Sequence, residues 1–160
     1  MQRIPLLPIC LFALALFGCE REGSSNLTNM PSNTVQVVRA EFGLFNVAEN
    51  GKTDFVPSKT VPLTVNQPYG WVVALKTTQS KIKWREEFIL PSAPATWDNQ
   101  GGTHTVSPDR TVSVTEREVE PTRGIIFNSW SVAEGDPKGR YVIRLTIENA
   151  TPIVFEFNVE

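Results

Sequence analysis

From Asn33 onward, the apolar side chains follow a period of two rather than 3.6 in a series of short segments. The clearest run places Tyr141, Ile143, Leu145 and Ile147 in alternation with Val142, Arg144, Thr146 and Glu148. Side chains of a strand point to opposite faces in turn, so this run predicts one apolar face and one mostly polar face. Glu148 to Pro152 supplies a turn, after which Ile153, Phe155, Phe157 and Val159 alternate again. The pair reads as a C-terminal hairpin with one buried face. Upstream, the same period predicts strands over 35–45, 54–64, 69–77, 81–90, 111–118 and 124–132. Turn residues separate them: Asn50-Gly51, Asn66-Gln67-Pro68, Pro121-Thr122 and Gly135-Asp136-Pro137. No stretch carries an apolar stripe of helical period. Short strands at this spacing predict an all-β fold, an antiparallel β-sandwich of about seven or eight strands.

The first residues follow a different pattern. Arg3 precedes an uncharged apolar run from Ile4 to Leu16. That run has the length of a signal-peptide core and falls short of the roughly 20 residues that span a bilayer. It ends in Leu16-Phe17-Gly18-Cys19, which resembles the lipobox of bacterial lipoproteins. The resemblance implies a diacylglycerol thioether on Cys19, cleavage before it and acylation of the new N-terminus. Several acyl chains give stable attachment where one is marginal. In enteric members of that family, Asp after the Cys retains the protein in the inner membrane. Glu20 stands there in this chain, which implies the outer membrane, facing the periplasm. The expected organisation is a signal peptide over 1–18, lipidated Cys19 with a flexible tether over 19–33, and a β-sandwich over 34–160. The tether, Ser-, Asn- and Gly-rich without apolar periodicity, would reach on the order of 20 Å.

Cysteine usage sharpens the chemistry. The chain has 2 cysteines, Cys10 within the leader and Cys19. Residues 20–160 therefore hold no disulfide, thiol nucleophile or zinc-thiolate site. Stability must come from an apolar core. The net charge of −2 is spread along the chain, with no basic stripe to neutralise phosphates, which argues against nucleic-acid binding.

The stretch Gly139-Arg140-Tyr141 after Asp136-Pro137 resembles the E–F corner of immunoglobulin-like domains. There Gly stands two residues before a Tyr that opens a strand. The resemblance implies a Tyr141 hydroxyl bonded to upstream backbone. Ile143 occupies the position of the second cysteine of antibody domains, so a disulfide-free variant is implied. Trp130 to Phe157 also looks like the closing hairpin of bacterial periplasmic domains of immunoglobulin-like fold.

Candidate chemistry is sparse. His104 is the sole histidine, in a Gly-Gly-Thr-His stretch that reads as an exposed loop, without a nucleophile elbow nearby. Metal ligation lacks partners, and no cofactor fingerprint is present. Glu86-Glu87 and the alternating Glu116, Glu118 and Glu120 offer carboxylates for glycosidic chemistry, but the latter three read better as a solvated strand face. Trp71 and Trp84 fall in apolar alternations and are expected in the core, and Trp130, just before the corner stretch, is expected in the core or half-buried. Trp97 differs, lying in the Pro- and Gly-rich stretch 91–110, which shows no strand pattern. Trp97, Asp98, Asn99 and His104 form the candidate ligand-binding set, an aromatic platform beside hydrogen-bonding groups. The competing reading folds Trp97 back as a lid over one end of the sandwich.

The expectation is a non-enzymatic binding or accessory module, attached to the membrane through lipid, with an envelope protein or glycan as partner. The alternatives are a cell-wall hydrolase or an inhibitor of one, and a structural envelope protein.

Overall fold

The computed structural model describes residues 34–48, 51–97 and 102–160. The leader, Cys19 and the tether lie outside the described residues, as do Asp98 and Asn99. Ten strands form two sheets packed face to face. They are β1 (Gln36–Val47), β2 (Thr53–Pro57), β3 (Thr60–Val61), β4 (Pro68–Lys76) and β5 (Ile82–Ile89), then β6 (Thr103–Val106), β7 (Val112–Val119), β8 (Ile125–Ser131), β9 (Gly139–Ile147) and β10 (Ile153–Val159). One sheet has the order β2-β1-β4-β8, the other β3-β10-β9-β5-β7-β6.

The hairpin read from the C-terminal alternation is present as β9 and β10, with Leu145 opposite Ile153 and Tyr141 opposite Phe157. Its inward residues Tyr141, Ile143, Leu145 and Ile147 are buried. They meet Phe42, Tyr69, Trp71, Val73, Ile126 and Trp130 of the other sheet. Trp71 and Trp84 touch edge to face across the core, with centroids 5.3 Å apart. Period-two patterning thus produced two apolar inner faces, and their burial holds the layers together.

Two expectations are corrected. The strand read over 54–64 is two strands on different sheets. β2 pairs with β1, whereas β3 pairs with β10, in parallel, so the second sheet is mixed. The chain crosses between sheets at Ser58. Its hydroxyl donates to the Thr60 carbonyl at 2.7 Å and accepts from the Thr60 N–H. Its own N–H reaches Phe42 on β1, while the Lys59 carbonyl receives the Asn158 N–H on β10. The preceding Pro57 has no N–H to extend β2.

Secondly, the stretch 91–110 contains a strand, β6, where none was expected. Its sequence, Thr103-His104-Thr105-Val106, alternates weakly because it sits at the sheet edge. It becomes a strand by pairing with β7, Val106 opposite Ser113 and Thr103 opposite Glu116. The connecting turn is fixed by Asp109. Its carboxylate accepts from the Ser107 hydroxyl at 2.5 Å and from the Thr111 N–H and hydroxyl. The hydrogen bond from Ser107, then those from Thr111, hold the Asp109 pKa below the usual carboxylate range.

Candidate functional site

The interior contains a carboxylate. β5 sends Ile82, Trp84, Glu86 and Phe88 inward, because they share one phase of the pleat. Glu86 is 1% exposed. Across the gap, β4 presents Trp71, and β8 presents Asn128, opposite it in register, and Trp130. All three donate to Glu86. The Trp71 indole N–H bonds Oε2, the Trp130 indole N–H bonds Oε1 at 2.9 Å, and the Asn128 amide lies 3.4 Å from both oxygens. A Cβ on Gly70, beside Trp71, would run into the Asn128 carbonyl. Glycine there lets β4 and β8 approach closely where the donors converge.

Each donor in this cage is neutral. Burial raises the Glu86 pKa, and the hydrogen bonds from Trp71, Trp130 and Asn128, with the Arg117 charge, oppose it without cancelling it. The cage links the two sheets in a domain without disulfides. Around it, the buried atoms Trp84 Nε1, Ser113 Oγ, Thr115 Oγ1 and His104 Nε2 have no protein hydrogen-bond partner.

One end of the sandwich is closed by Trp97. Its ring packs edge to face on Phe88 at 5.9 Å and on Trp130 at 6.1 Å. Its indole N–H donates to the Arg110 carbonyl at 2.9 Å, and the Arg110 guanidinium returns to the Ala95 carbonyl. The space beneath is about 30 Å³, far below the roughly 300 Å³ where ligand pockets begin. Beside it, Tyr141 donates to the Pro137 carbonyl at 2.7 Å, and Asp136 accepts the Ala133 N–H. Burial, then the Asp136 charge, keep the Tyr141 phenol well above its usual pKa and therefore a neutral donor. This is the corner geometry that the Gly139-Arg140-Tyr141 resemblance implied.

His104 is not on an exposed loop. It lies half-buried on β6 opposite Thr115, and no hydrogen bond joins it to Trp97. The fold therefore gives the ring of Trp97 a packing role, and Asp98 and Asn99 lie outside the described residues.

A larger depression of about 710 Å³ is lined by Lys83, Arg85, Gly102, Thr103, Glu116 and Glu118, with Trp84, Arg117, Glu148 and Asn149. Arg85 is held within it by Glu87 at 2.6 Å and Glu116 at 3.4 Å. The Arg117 guanidinium sits 5.8 Å from the Trp84 ring centroid.

A model of one protein family, the PM0630 beta sandwich domain, matches residues 40–160. The chain belongs to that family. Among solved structures, the PM0630 beta sandwich domain of this chain is similar to an immunoglobulin-like protein from Pseudomonas aeruginosa. The two share 14% identity with a TM-score of 0.54, over 81% of this chain and 99% of the other. At that identity the likeness concerns the fold: the domain is an immunoglobulin-like β-sandwich. No curated protein matches the chain.

In this PM0630 domain the carboxylates named as candidates separate. Glu86 and Glu87 face opposite ways. Glu86 lies in the core, and Glu87 on the outer face bonds Arg85 and Arg144. Glu116, Glu118 and Glu120 are exposed, as a solvated strand face requires. The sequence reading passed over Glu86 and Asn128 as core groups, yet a signal existed. Glu86 is in phase with Ile82, Trp84 and Phe88, and Asn128 with Ile126 and Trp130.

Proposed function

We propose that this protein is an envelope lipoprotein, anchored through Cys19, whose immunoglobulin-like sandwich works as a non-enzymatic binding or accessory module. The anchoring part rests on Leu16-Phe17-Gly18-Cys19 at the end of an uncharged apolar run. The observation that carries the binding part is the 710 Å³ depression, within the roughly 300–1,000 Å³ range of ligand sites. Its lining offers charged and hydroxyl groups of both hydrogen-bonding senses. That chemistry suits a polar envelope ligand, a glycan or a partner protein. Glu86, the carboxylate with a raised pKa, is enclosed by its donors and supports the sandwich instead of facing a substrate.

Two measurements test the reading. Labelled palmitate should enter the wild-type chain in a host that processes lipoproteins and should be lost in Cys19→Ser; unchanged labelling of that variant refutes the anchor. Thr103→Trp, which fills the depression from an exposed edge position, should abolish binding to envelope glycans or extracts and leave Tm unchanged. Undiminished binding refutes the site.

A further inference from the structure

The two sheets differ on their outer faces. On the six-stranded sheet that face is charged: Arg140 pairs with Glu156 at 2.6 Å, Arg85 with Glu87 at 2.6 Å, and Arg144 reaches Glu87 at 3.7 Å. On the four-stranded sheet, the phase of the pleat that points away from the core carries Phe55 on β2, Phe45 on β1, Pro68 and Val72 on β4, and Ile125 and Phe127 on β8. The rings form a row across the sheet. Phe45 lies 5.2 Å from Phe55 and 6.1 Å from Phe127, beside the side-chain gap left by Gly43 opposite Gly70. Phe127 is 59% exposed and Ile125 37%. β4 reads Pro-Tyr-Gly-Trp-Val-Val-Ala-Leu-Lys, apolar in both phases until its last residue, which is the composition of a strand covered on both faces. The two sheets are the only layers among the described residues, so its outer phase has no layer above it. Contiguous exposed apolar surface of this kind marks a protein or membrane contact.

Charge on this face gathers at one end. Lys76 closes β4, and the Leu75 N–H bonds the Gly124 carbonyl, which keeps the exposed Arg123 at the same end. Arg39 lies one row further along β1 and is ion-paired to Glu41 at 2.6 Å. Arg117 and Glu120 border the β8 edge with opposite charges. The end is therefore net positive, with Arg39, Lys76 and Arg123 against Glu41.

We propose, resting on the Cys19 anchor above, that the outer face of the four-stranded sheet lies on the lipid surface that holds the chain. The ring of Phe127 enters the boundary of the acyl chains, and Lys76 and Arg123 meet anionic headgroups. The point where the tether joins the domain selects lipid over a second copy. Residues 20–33 would reach on the order of 20 Å. Thr34 then leads into Gln36, which opens β1, a central strand of this sheet, opposite Lys76. The apolar face is thus held within a tether's reach of acyl chains, and its basic end is the end nearest the attachment. Interfacial binding grows with buried apolar area and with attraction to anionic lipid, and this face offers both. The 710 Å³ depression, on the outer side of the other sheet, is left facing away from the membrane.

The test uses the full chain with Cys10→Ser, extracted in detergent and reconstituted into vesicles of phosphatidylethanolamine and anionic phosphatidylglycerol. A thiol-reactive fluorophore reports the anchor separately, since a chain with no introduced cysteine takes up no label when Cys19 is acylated. If it does take up label, the anchor fails, and Cys19→Ser is added so that the face is read on a chain held by its apolar leader. Label at Ser129→Cys, on the outer face of β8, should be quenched by nitroxide-labelled lipid about tenfold more than label at Val154→Cys, on the outer face of β10, the ratio a modest orientational preference gives. Ile125→Ser with Phe127→Ser should remove the difference at unchanged Tm. Lys76→Glu with Arg123→Glu, or vesicles of phosphatidylcholine alone, should reduce it. Equal quenching at both faces of a vesicle-bound chain overturns the proposal, and so does a chain absent from the vesicle fraction. Ser129→Cys thiols that cross-link to one another while lipid leaves them unquenched also overturn it and assign the face to a second copy.

Discussion

Replacing Glu86 with leucine removes the single acceptor group on which three donors converge. The indole N–H of Trp71, the indole N–H of Trp130 and the amide of Asn128 would then face an isobutyl group. All three residues are buried, at 0%, 6% and 3% exposure, so water does not replace the lost acceptor. A buried donor left unpaired costs about 1–3 kcal/mol. Burying a leucine side chain returns about 2 kcal/mol, and the charge itself no longer needs to be desolvated. Three orphaned donors outweigh these gains, and the expected loss is about 3 kcal/mol. The assay is urea unfolding at neutral pH followed by tryptophan fluorescence, read as a lower midpoint at unchanged slope. A chain as stable as wild type, or more stable, would refute the reasoning. It would mean that the desolvation of Glu86 exceeds everything its donors give back, as happens for some buried ion pairs. Adding Trp71→Phe to Glu86→Leu removes one orphan and should recover part of the loss, a non-additivity that a loosened core would not show.

The remaining predictions follow from the same contacts. The Glu86 pKa is raised in the folded state, so the stability linked to its protonation is fully present below the unfolded value, near 4.5, and is lost as pH rises through the folded one. Unfolding free energies measured against pH should therefore shift in favour of Glu86→Gln relative to wild type as pH increases through that window, and a constant or opposite gap would show that the N–H donors outweigh burial. Trp97→Ala should cost about 2–3 kcal/mol, less than a fully buried tryptophan, seen as a lower Tm; an unchanged Tm would release the ring from its role as a lid. Tyr141→Phe should cost about 1 kcal/mol for the lost bond to the Pro137 carbonyl, measured by urea unfolding, with no loss if that bond is made equally well to water.

Much of the fold was legible because strand periodicity is local. Tyr141, Ile143, Leu145 and Ile147 declare their common face within one short segment, and the structure buries all four. The tyrosine corner was legible for the same reason, since Tyr141 and Pro137 are four residues apart. Trp71 and Trp84 were placed correctly in the core by their alternation. Where the chain changes sheets was not legible, because Ser58 and Lys59 are committed by partners on β1 and β10, distant in sequence. β6 was hidden because a short edge strand takes its structure from its neighbour β7.

The candidate site divides along the same line. Alternation alone sends Glu86 inward with Trp84 and Phe88, and the absence of cysteine after Cys19 denies the sandwich a disulfide. What that carboxylate meets was decided by tertiary structure, since its donors stand 15, 42 and 44 residues away. Pleat geometry determines the direction of a side chain from its immediate neighbours. Its partners, and with them its charge and its role, depend on how two sheets are laid against each other, a choice made by the whole apolar surface at once.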